Sequence, residues 1–368
     1  MNSPSSPERP VEPALTKSGP LSSEQRFLRA CRQQPVDCTP VWFMRQAGRY
    51  MSEYRAIRAN HSLLEICAHP ELAAEVTLQP VNQLGVDAAI LFADILLPLI
   101  PMGIDLEFAA GEGPVIHNPI RDAADVAALR AVEPRESLSH VLKAISIVRR
   151  ELQGRVALIG FAGAPFTLAS YLIEAGSSRN YLKTKRLMYS QPETWHRLMG
   201  KLSQTIATYL VAQVEAGAQV VQLFDSWVGA LNPEDYRQYV LPHSQAIFTA
   251  LQKTGVPTIH FGTGTAVLLP LLLEAGGDVI GIDWQTPLNW GWERLEYRAA
   301  VQGNLDPTAL FAPHIELDVR VDRILGQVQG RPGHIFNLGH GILPETPVEN
   351  VRRVVERVHE RSSHLEVR

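Results

Sequence analysis

The sequence holds 368 residues, of which 45% are hydrophobic and 20% charged, and its formal net charge is −4 at pH 7. This composition is typical of a globular protein, and without a dense basic run it argues against nucleic acid as a partner. The length accommodates two domains or a single α/β barrel. Residues 1–20 contain five prolines and no apolar core segment, so we predict a disordered Pro/Ser-rich tail followed by one folded domain over 21–368.

The longest apolar stretch covers residues 88–102 and is too short to span a bilayer. Asp94, Pro98 and Pro101 also interrupt it, so no membrane partner is expected. The three cysteines are Cys31, Cys38 and Cys67, an odd number without a C-x-x-C spacing. They indicate reduced thiols in a cytoplasmic protein rather than a disulfide framework or a zinc knuckle.

Short, nearly continuous apolar runs alternate with longer helical patterns along the chain. Such runs are typical of parallel strands buried on both faces. The eight predicted strands cover residues 40–44, 87–94, 155–163, 218–226, 256–262, 278–285, 299–306 and 333–340.

The segments between the strands carry helix signals. In the segment 190–217, Ser190 and Glu193 fit a capping box, and Asn232 with Pro233 fits the start of another helix. Eight strands alternating with helices predict a single (β/α)8 TIM barrel. The alternative is a doubly wound open sheet, but no G-x-G-x-x-G follows the first strand and no P-loop is present.

Polar or small residues follow the predicted strands, and in such barrels the active-site cleft lies at the carboxyl ends of the strands. Arg45 and Arg49 flank Gly48 directly after the first strand. Their position at the mouth of the barrel is compatible with an anion clamp or with ordinary surface cations.

Four further residues at strand ends are candidates for the same cleft, and each has a structural alternative. Asp94 lies between apolar neighbours, either as a turn cap or as an acceptor that stabilises positive charge in a closed cavity. Tyr171 is either a core aromatic or a cleft residue, and Ser226 either a turn serine or a cleft residue. His340 lies between Gly339 and Gly341, which allow close approach of a ligand to the backbone.

A metal site is not expected. His260 ends a strand, but no cysteine or carboxylate stands at zinc-ligand spacing around it, and the sequence contains no H-E-x-x-H. The glycines of "FGTGTAV" (261–267) fit either a phosphate-binding loop or a helix-entry turn.

At the level of motifs, the chain closely resembles the uroporphyrinogen decarboxylase family from about residue 22 to about 360. The matching segments are "FMRQAGRYMSEYR", "LFADIL", "IGFAGAPFTLASYLIEAG", "LFDSWVG", "IDWQTPL", "QGNLDP" and "FNLGHGILPETP". Ser52 departs from the family pattern, which usually has proline there; this affects the stiffness of the loop more than its chemistry.

The resemblance implies a cytoplasmic homodimer that uses no cofactor and no metal. Its substrate would be uroporphyrinogen III, whose four acetate side chains become methyl groups to give coproporphyrinogen III and CO2 in haem and chlorophyll synthesis. Asp94 and Arg45 are implied as catalytic. The implied substrate-binding residues are Arg45, Gln46, Ala47, Gly48, Arg49, Asp94, Tyr171, Ser226 and His340.

The rival hypotheses are a zinc- and cobamide-dependent methyltransferase of the related barrels and a tetrapyrrole carrier without turnover. The methyltransferases bind zinc through a late His-x-Cys and a second cysteine, whereas no cysteine follows Cys67 in this sequence. Asp94 and the arginine loop argue against the carrier, which predicts binding without turnover.

Overall fold

The computed structural model describes residues 21–109 and 113–363. The predicted tail, residues 1–20, lies outside this part of the chain. Within the described residues the chain forms a mixed α/β fold, built on a curled sheet of seven parallel strands in the order β1-β4-β5-β6-β7-β8-β9. The strands are β1 (Ala88–Ile90), β2 (Leu106–Ala109), β3 (Gly113–Ile116), β4 (Ala157–Gly163), β5 (Val220–Asp225), β6 (Thr258–Gly262), β7 (Val279–Gly281), β8 (Ala300–Gln302) and β9 (His334–Ile335).

Seven of the eight predicted strands are confirmed, although each is shorter than its apolar run. The burial explains the sequence pattern: all residues of β4 and β6 are buried, because the sheet is covered on both faces.

The predicted first strand, 40–44, does not form as a regular strand. Val41 makes one isolated parallel bridge with Phe336, just after β9. The amide of Asp87, just before β1, donates to the Val41 carbonyl at 2.7 Å. The segment therefore bonds on one side toward β9 and on the other toward β1. Pro40 provides no N–H, and Arg45 turns the chain with φ of 61°, which leaves too few residues for a regular ladder.

Helices cover the sheet. They are α1 (Ser23–Cys31), α2 (Ser52–Arg58), α3 (Leu63–Ala68), α4 (Pro70–Leu84), α5 (Ala123–Ala128), α6 (Pro134–Ser137), α7 (Ser139–Leu152), α8 (Pro165–Glu174), α9 (Leu182–Ser190), α10 (Pro192–Ala216), α11 (Pro233–Tyr239), α12 (Leu241–Gln252), α13 (Leu269–Ala275), α14 (Leu288–Arg294), α15 (His314–Val328) and α16 (Val348–Ser362). None of the helices in the described ranges is both long and apolar enough to cross a membrane.

The helix-start predictions had mixed outcomes. Asn232 caps α11 as expected, because its side chain accepts from the amide of Asp235. The capping box proposed for Ser190 and Glu193 is wrong: α10 begins at Pro192, and its N-cap Gln191 makes no side-chain cap bond. Proline at the first helical position fixes this start without a capping side chain.

A buried ion cluster joins the two ends of the described chain at the amino-terminal side of the strands. Asp87 is fully buried and accepts from Arg26 at 2.6 Å, from the Val41 amide at 2.8 Å and from His359 at 2.7 Å. Arg26 also contacts Asp37 at 2.7 Å. This cluster ties α1 and α16 to the segment that bridges β9 and β1.

Cys31, Cys38 and Cys67 are free, as predicted, and all three are buried.

Candidate active site

A cleft of about 440 Å³ opens at the carboxyl ends of the strands, where the sequence predicts a site. It brings together every predicted site residue except Gln46. The predicted residues that line it are Arg45, Ala47, Gly48, Arg49, Asp94, Tyr171, Ser226 and His340.

The loop after the segment 40–44 presents the two arginines to the cleft. Gln46 lies beneath the loop, fully buried, where it accepts from the Phe43 amide at 3.1 Å and donates to the Ala88 carbonyl at 3.0 Å. Its own carbonyl accepts from the Tyr50 hydroxyl at 2.6 Å. Gln46 therefore shapes the loop from below. Arg45 and Arg49 are exposed, and neither forms an ion pair with any residue in the described ranges.

Two further residues fix this loop: Arg55, which the sequence analysis did not single out, and Gly341, which it connected with close approach of a ligand. Arg55 donates to the carbonyls of Arg49 at 3.0 Å and Tyr50 at 2.9 Å. Gly341 lies against the Arg45 side chain, and a Cβ at this glycine would stand only 2.7 Å from Arg45 Cγ. The glycine thus leaves room for the arginine, and the local sequence "GHG" was the available signal.

Asp94 lies in the cleft wall, four residues beyond β1. Its Oδ1 accepts from the Leu96 amide at 2.8 Å. Burial raises the pKa of Asp94 to about 6, while this amide and the positive charge of Arg45 oppose the rise. The carboxylate is therefore ionised at neutral pH but unusually responsive to any donor or cation that enters the cleft. The turn-cap alternative is correct in part, because Asp94 caps this turn and also faces the cleft.

His340 and Tyr171 are both uncharged at neutral pH. Burial and the neighbouring Arg45 guanidinium lower the pKa of His340 to about 4, against the opposing effect of Asp283. Burial, together with the negative charge of Asp94, raises the pKa of Tyr171 to about 12. The cleft is therefore lined by Asp94 as its anion and by Arg45 and Arg49 as its cations.

Aromatic rings form much of the remaining wall, and the sequence analysis did not identify them as site residues. Phe224 packs edge-on against Phe161 and Phe261, with ring centroids 5.5 and 6.0 Å apart. These phenylalanines lie on β4, β5 and β6 and line the cleft. Each phenylalanine lies near the carboxyl end of its strand, and this shared position was the sequence signal that could have identified them. Phe108 and Pro114 close the cleft from an antiparallel hairpin, β2–β3, that was also not predicted.

Within residues 21–109 and 113–363, no three His, Cys, Asp or Glu side chains lie close enough together to hold one metal ion. His260 is fully buried and does not line the cleft.

The fold and cleft define an α/β protein with a cleft at the carboxyl ends of parallel strands, where proteins of this class usually bind small molecules. Residues 22–361 match the family model described as uroporphyrinogen decarboxylase. The chain belongs to the uroporphyrinogen decarboxylase family. It is 61% identical to the uroporphyrinogen decarboxylase of Sorangium cellulosum over 334 residues, which cover 91% of this chain and 95% of that relative. It is 59% identical to that of Carboxydothermus hydrogenoformans, over 92% of this chain and 96% of that relative.

Among solved structures, the chain is similar to a methyltransferase from Methanosarcina mazei, with a TM-score of 0.77 and 21% identity over 92% of this chain and 98% of that one. It is also similar to a B12-independent methionine synthase from Shewanella sp., with a TM-score of 0.53 and 11% identity over 82% of this chain and 89% of that one. At these identities the likeness concerns the fold alone.

Proposed function

We propose that this protein decarboxylates the four acetate side chains of uroporphyrinogen III, giving coproporphyrinogen III and CO2 in porphyrin biosynthesis. Family membership and the names of relatives at 61% and 59% identity support this reaction. The observation that carries it is that one partly buried carboxylate, Asp94, shares an aromatic-walled cleft with Arg45 and Arg49, neither of which forms an ion pair among the described residues.

Binding follows from complementary charge. The substrate carries acetate and propionate groups on every ring, and Arg45 and Arg49 offer fork-shaped cationic donors at the mouth. The pyrrole N–H groups converge on Asp94, which has spare acceptor capacity because only the Leu96 amide donates to it among the described residues. Tyr171, Ser226 and His340 supply the remaining polar contacts, and Ala47 and Gly48 let the loop approach the substrate closely.

The chemistry requires only proton transfers and an electron sink that the substrate itself provides. A proton adds to a ring carbon and makes that pyrrole cationic. The bond between the acetate methylene and its carboxylate then breaks, CO2 leaves, and the bonding electrons neutralise the ring as an exocyclic methylene. A proton adds to this methylene to give the methyl group, and the ring carbon loses its extra proton. The net change is one proton taken up for each CO2 released.

Asp94 stabilises the cationic ring electrostatically in the transition state. Three sources are available for the ring proton: Arg45, Tyr171 and water. Arg45 lies close enough to Asp94 to affect its pKa, which supports the proposed catalytic role of this arginine. We propose no cofactor and no metal for this reaction.

The finer architecture is proposed together with the function. The segment 40–44 takes the position of the eighth strand of a closed (β/α)8 barrel, which is supported by the Val41–Phe336 bridge and the bond from Asp87 to Val41. A homodimer is proposed from the resemblance, and a cytoplasmic location from the resemblance together with the three free cysteines. Sedimentation equilibrium of the purified protein would test the dimer.

The decisive experiment is an anaerobic assay with uroporphyrinogen III, with products separated by chromatography after oxidation to porphyrins. The wild type should yield coproporphyrin through partially decarboxylated products. Asp94→Asn keeps the shape but removes the charge, and should lower kcat by about 10²-fold or more, as when one electrostatic stabiliser is removed. Asp94→Glu should retain more activity than Asn, provided that the cleft admits the extra methylene.

The Asn variant should melt no lower than the wild type at pH 7.5, because it no longer places a charge in a buried environment. A folded Asn variant within a fewfold of wild-type turnover would refute the role of Asp94. Binding of uroporphyrinogen III without any product from the wild type would indicate the carrier instead.

The same carboxylate predicts the pH profile. Because the pKa of Asp94 is raised to about 6, the free enzyme loses its anion as the pH falls through 6. The log of kcat/KM should therefore decline below pH 6 in the wild type, and this limb should disappear in Asp94→Asn.

A further inference from the structure

We propose that Thr167 is a positioning residue that acts through Trp227 to hold the ring of Tyr171 in the cleft. This proposal rests on the proposed function, in which Tyr171 contacts the substrate. Thr167 itself is fully buried, does not line the cleft and lies on α8, one helical turn before Tyr171.

The Thr167 hydroxyl accepts one hydrogen bond and donates another, and the chemistry of its two partners fixes which is which. The backbone amide of Trp227 donates to Thr167 Oγ1 at 3.3 Å. An amide can only donate, so the single hydroxyl proton is free for the other partner, Asp225 Oδ1, at 3.0 Å. The hydroxyl thus joins the end of β5 to the turn that follows it.

Asp225, the partner of the Thr167 hydroxyl at the contact between α8 and β5, lies in an unfavourable environment for a carboxyl group. It is fully buried, and its Oδ2 has no hydrogen-bond partner among the described residues. Burial raises the pKa of Asp225 to about 7, against the effect of its bonds with Thr167. A buried carboxyl with one unsatisfied oxygen costs stability. The Thr167 hydroxyl is the side-chain donor that makes this group tolerable, which fixes α8 against β5.

The turn held in this way carries Trp227, whose indole is stacked behind Tyr171. The two ring centroids are 3.9 Å apart and the planes differ by 30°. Trp227 does not line the cleft, whereas Tyr171 and Ser226 do. Ser226 lies between the two residues bonded to Thr167, and its carbonyl accepts from Thr263 Oγ1 at 2.5 Å. A shift of the Trp227 amide therefore moves the indole against which the Tyr171 ring rests.

The chain permits a matched pair of substitutions at this position. Thr167→Val keeps the branched shape and removes the hydroxyl, so it breaks both bonds and leaves Asp225 without its side-chain donor. Thr167→Ser removes only a methyl group and retains the hydroxyl. If the hydroxyl positions the site, Thr167→Ser should keep the activity that Thr167→Val loses. If the packing of the methyl group is what matters, Thr167→Ser should lose activity as well.

The kinetic test compares kcat and KM for both variants in the wild type and in a Tyr171→Ala background. We expect Thr167→Val to lower kcat/KM about tenfold, mainly through kcat, and Thr167→Ser to stay within threefold of the wild type. In the Tyr171→Ala background, Thr167→Val should cause less than a twofold further loss, because the ring through which it acts is absent. Equal losses in the two backgrounds, or a fully active Thr167→Val, would overturn the proposal.

A second measurement needs no turnover. The protein is labelled with 5-fluorotryptophan, and the Trp227 signal is assigned by its absence in Trp227→Phe. Without substrate, the 19F resonance of Trp227 should shift in Thr167→Val and coincide with the wild type in Thr167→Ser. A shifted signal in a protein that does not decarboxylate uroporphyrinogen III would refute the proposed function while supporting the positioning role. An unchanged signal would overturn the positioning role whatever the activity.

Discussion

The close packing of Gly341 against Arg45 predicts that Gly341→Ala, which adds one methyl group, will displace the Arg45 side chain and lower activity. A Cβ at residue 341 would lie 2.7 Å from Arg45 Cγ and 3.0 Å from its Nε, with Cδ closer still. The backbone of Gly341 does not have a left-handed φ, so Gly341→Ala introduces a collision without backbone strain.

The collision sets the size of the effect. Carbon atoms in van der Waals contact stand about 3.5–4.0 Å apart, so the Arg45 side chain must move by about 1 Å. The loop backbone cannot easily follow, because Gln46 is bonded beneath it on both sides. A misplacement of this size can lower the rate by about 10²-fold, which corresponds to about 2.7 kcal/mol in the barrier. We therefore expect Gly341→Ala to lower kcat/KM by about 10²-fold while the fold is retained.

The assay is anaerobic decarboxylation of uroporphyrinogen III, together with thermal unfolding. Gly326→Ala is the matched control, because a Cβ at this exposed position of α15 meets nothing within 4 Å. It should keep wild-type activity and unfold at a slightly higher temperature, since alanine favours helix over glycine by about 1 kcal/mol. An Arg45→Ala background should suppress most of the Gly341→Ala effect. Near-wild-type kinetics for Gly341→Ala, or an undiminished loss in the Arg45→Ala background, would refute the reasoning.

Three further predictions follow from the site and its scaffold. Arg49→Lys and Arg45→Lys should each weaken kcat/KM about tenfold or more, because an ammonium cannot reproduce a bidentate fork worth about 1.5–3 kcal/mol; wild-type kinetics in both would exclude a clamp. Activity should persist in excess EDTA with nothing added, whereas loss on chelation and recovery with a metal would revive the methyltransferase-like zinc site. Burial acts to raise the pKa of Asp87, but His359, Arg26 and the Val41 amide outweigh it and hold the pKa below its ordinary value. The ionised Asp87 therefore stabilises the folded protein at neutral pH, and this contribution is lost as the pH falls through the folded pKa. Asp87→Asn should lower the free energy of unfolding by about 3 kcal/mol at pH 7, with a smaller deficit in acid, as measured by urea titration.

The sequence was sufficient to predict that these residues lie together, because the carboxyl ends of parallel strands lie at the same edge of a sheet. Arg45, Asp94, Ser226 and His340 all follow apolar runs, and this position alone assembles them around one cleft. The order of the strands in the sheet follows from the same alternation, since each strand from β4 to β9 pairs with the next along the chain.

Other features depend on contacts between distant segments, which no local pattern reveals. Gln46 lies inside the predicted binding loop, yet its side chain bonds to the Ala88 carbonyl. The segment 40–44 has the apolar character of a strand but forms no regular ladder, only the Val41–Phe336 bridge and the bond from the Asp87 amide. The Thr167–Asp225 bond joins residues 58 positions apart. In each case the structure depends on a contact with a residue that is distant in the sequence and that local patterns do not identify.

The buried cluster around Asp87 has a consequence for how the protein is made. Arg26 precedes Asp87 by 61 residues, whereas His359 follows it by 272. At about 5–20 residues per second, a ribosome adds His359 about 14–54 s after it has added Asp87. During this interval Asp87 has only some of its hydrogen-bond donors, and segment 40–44 still lacks Phe336, its partner on the side away from β1. An unpaired strand edge is a template for aggregation, so we expect the nascent chain to carry this risk until the residues of β9 have been made.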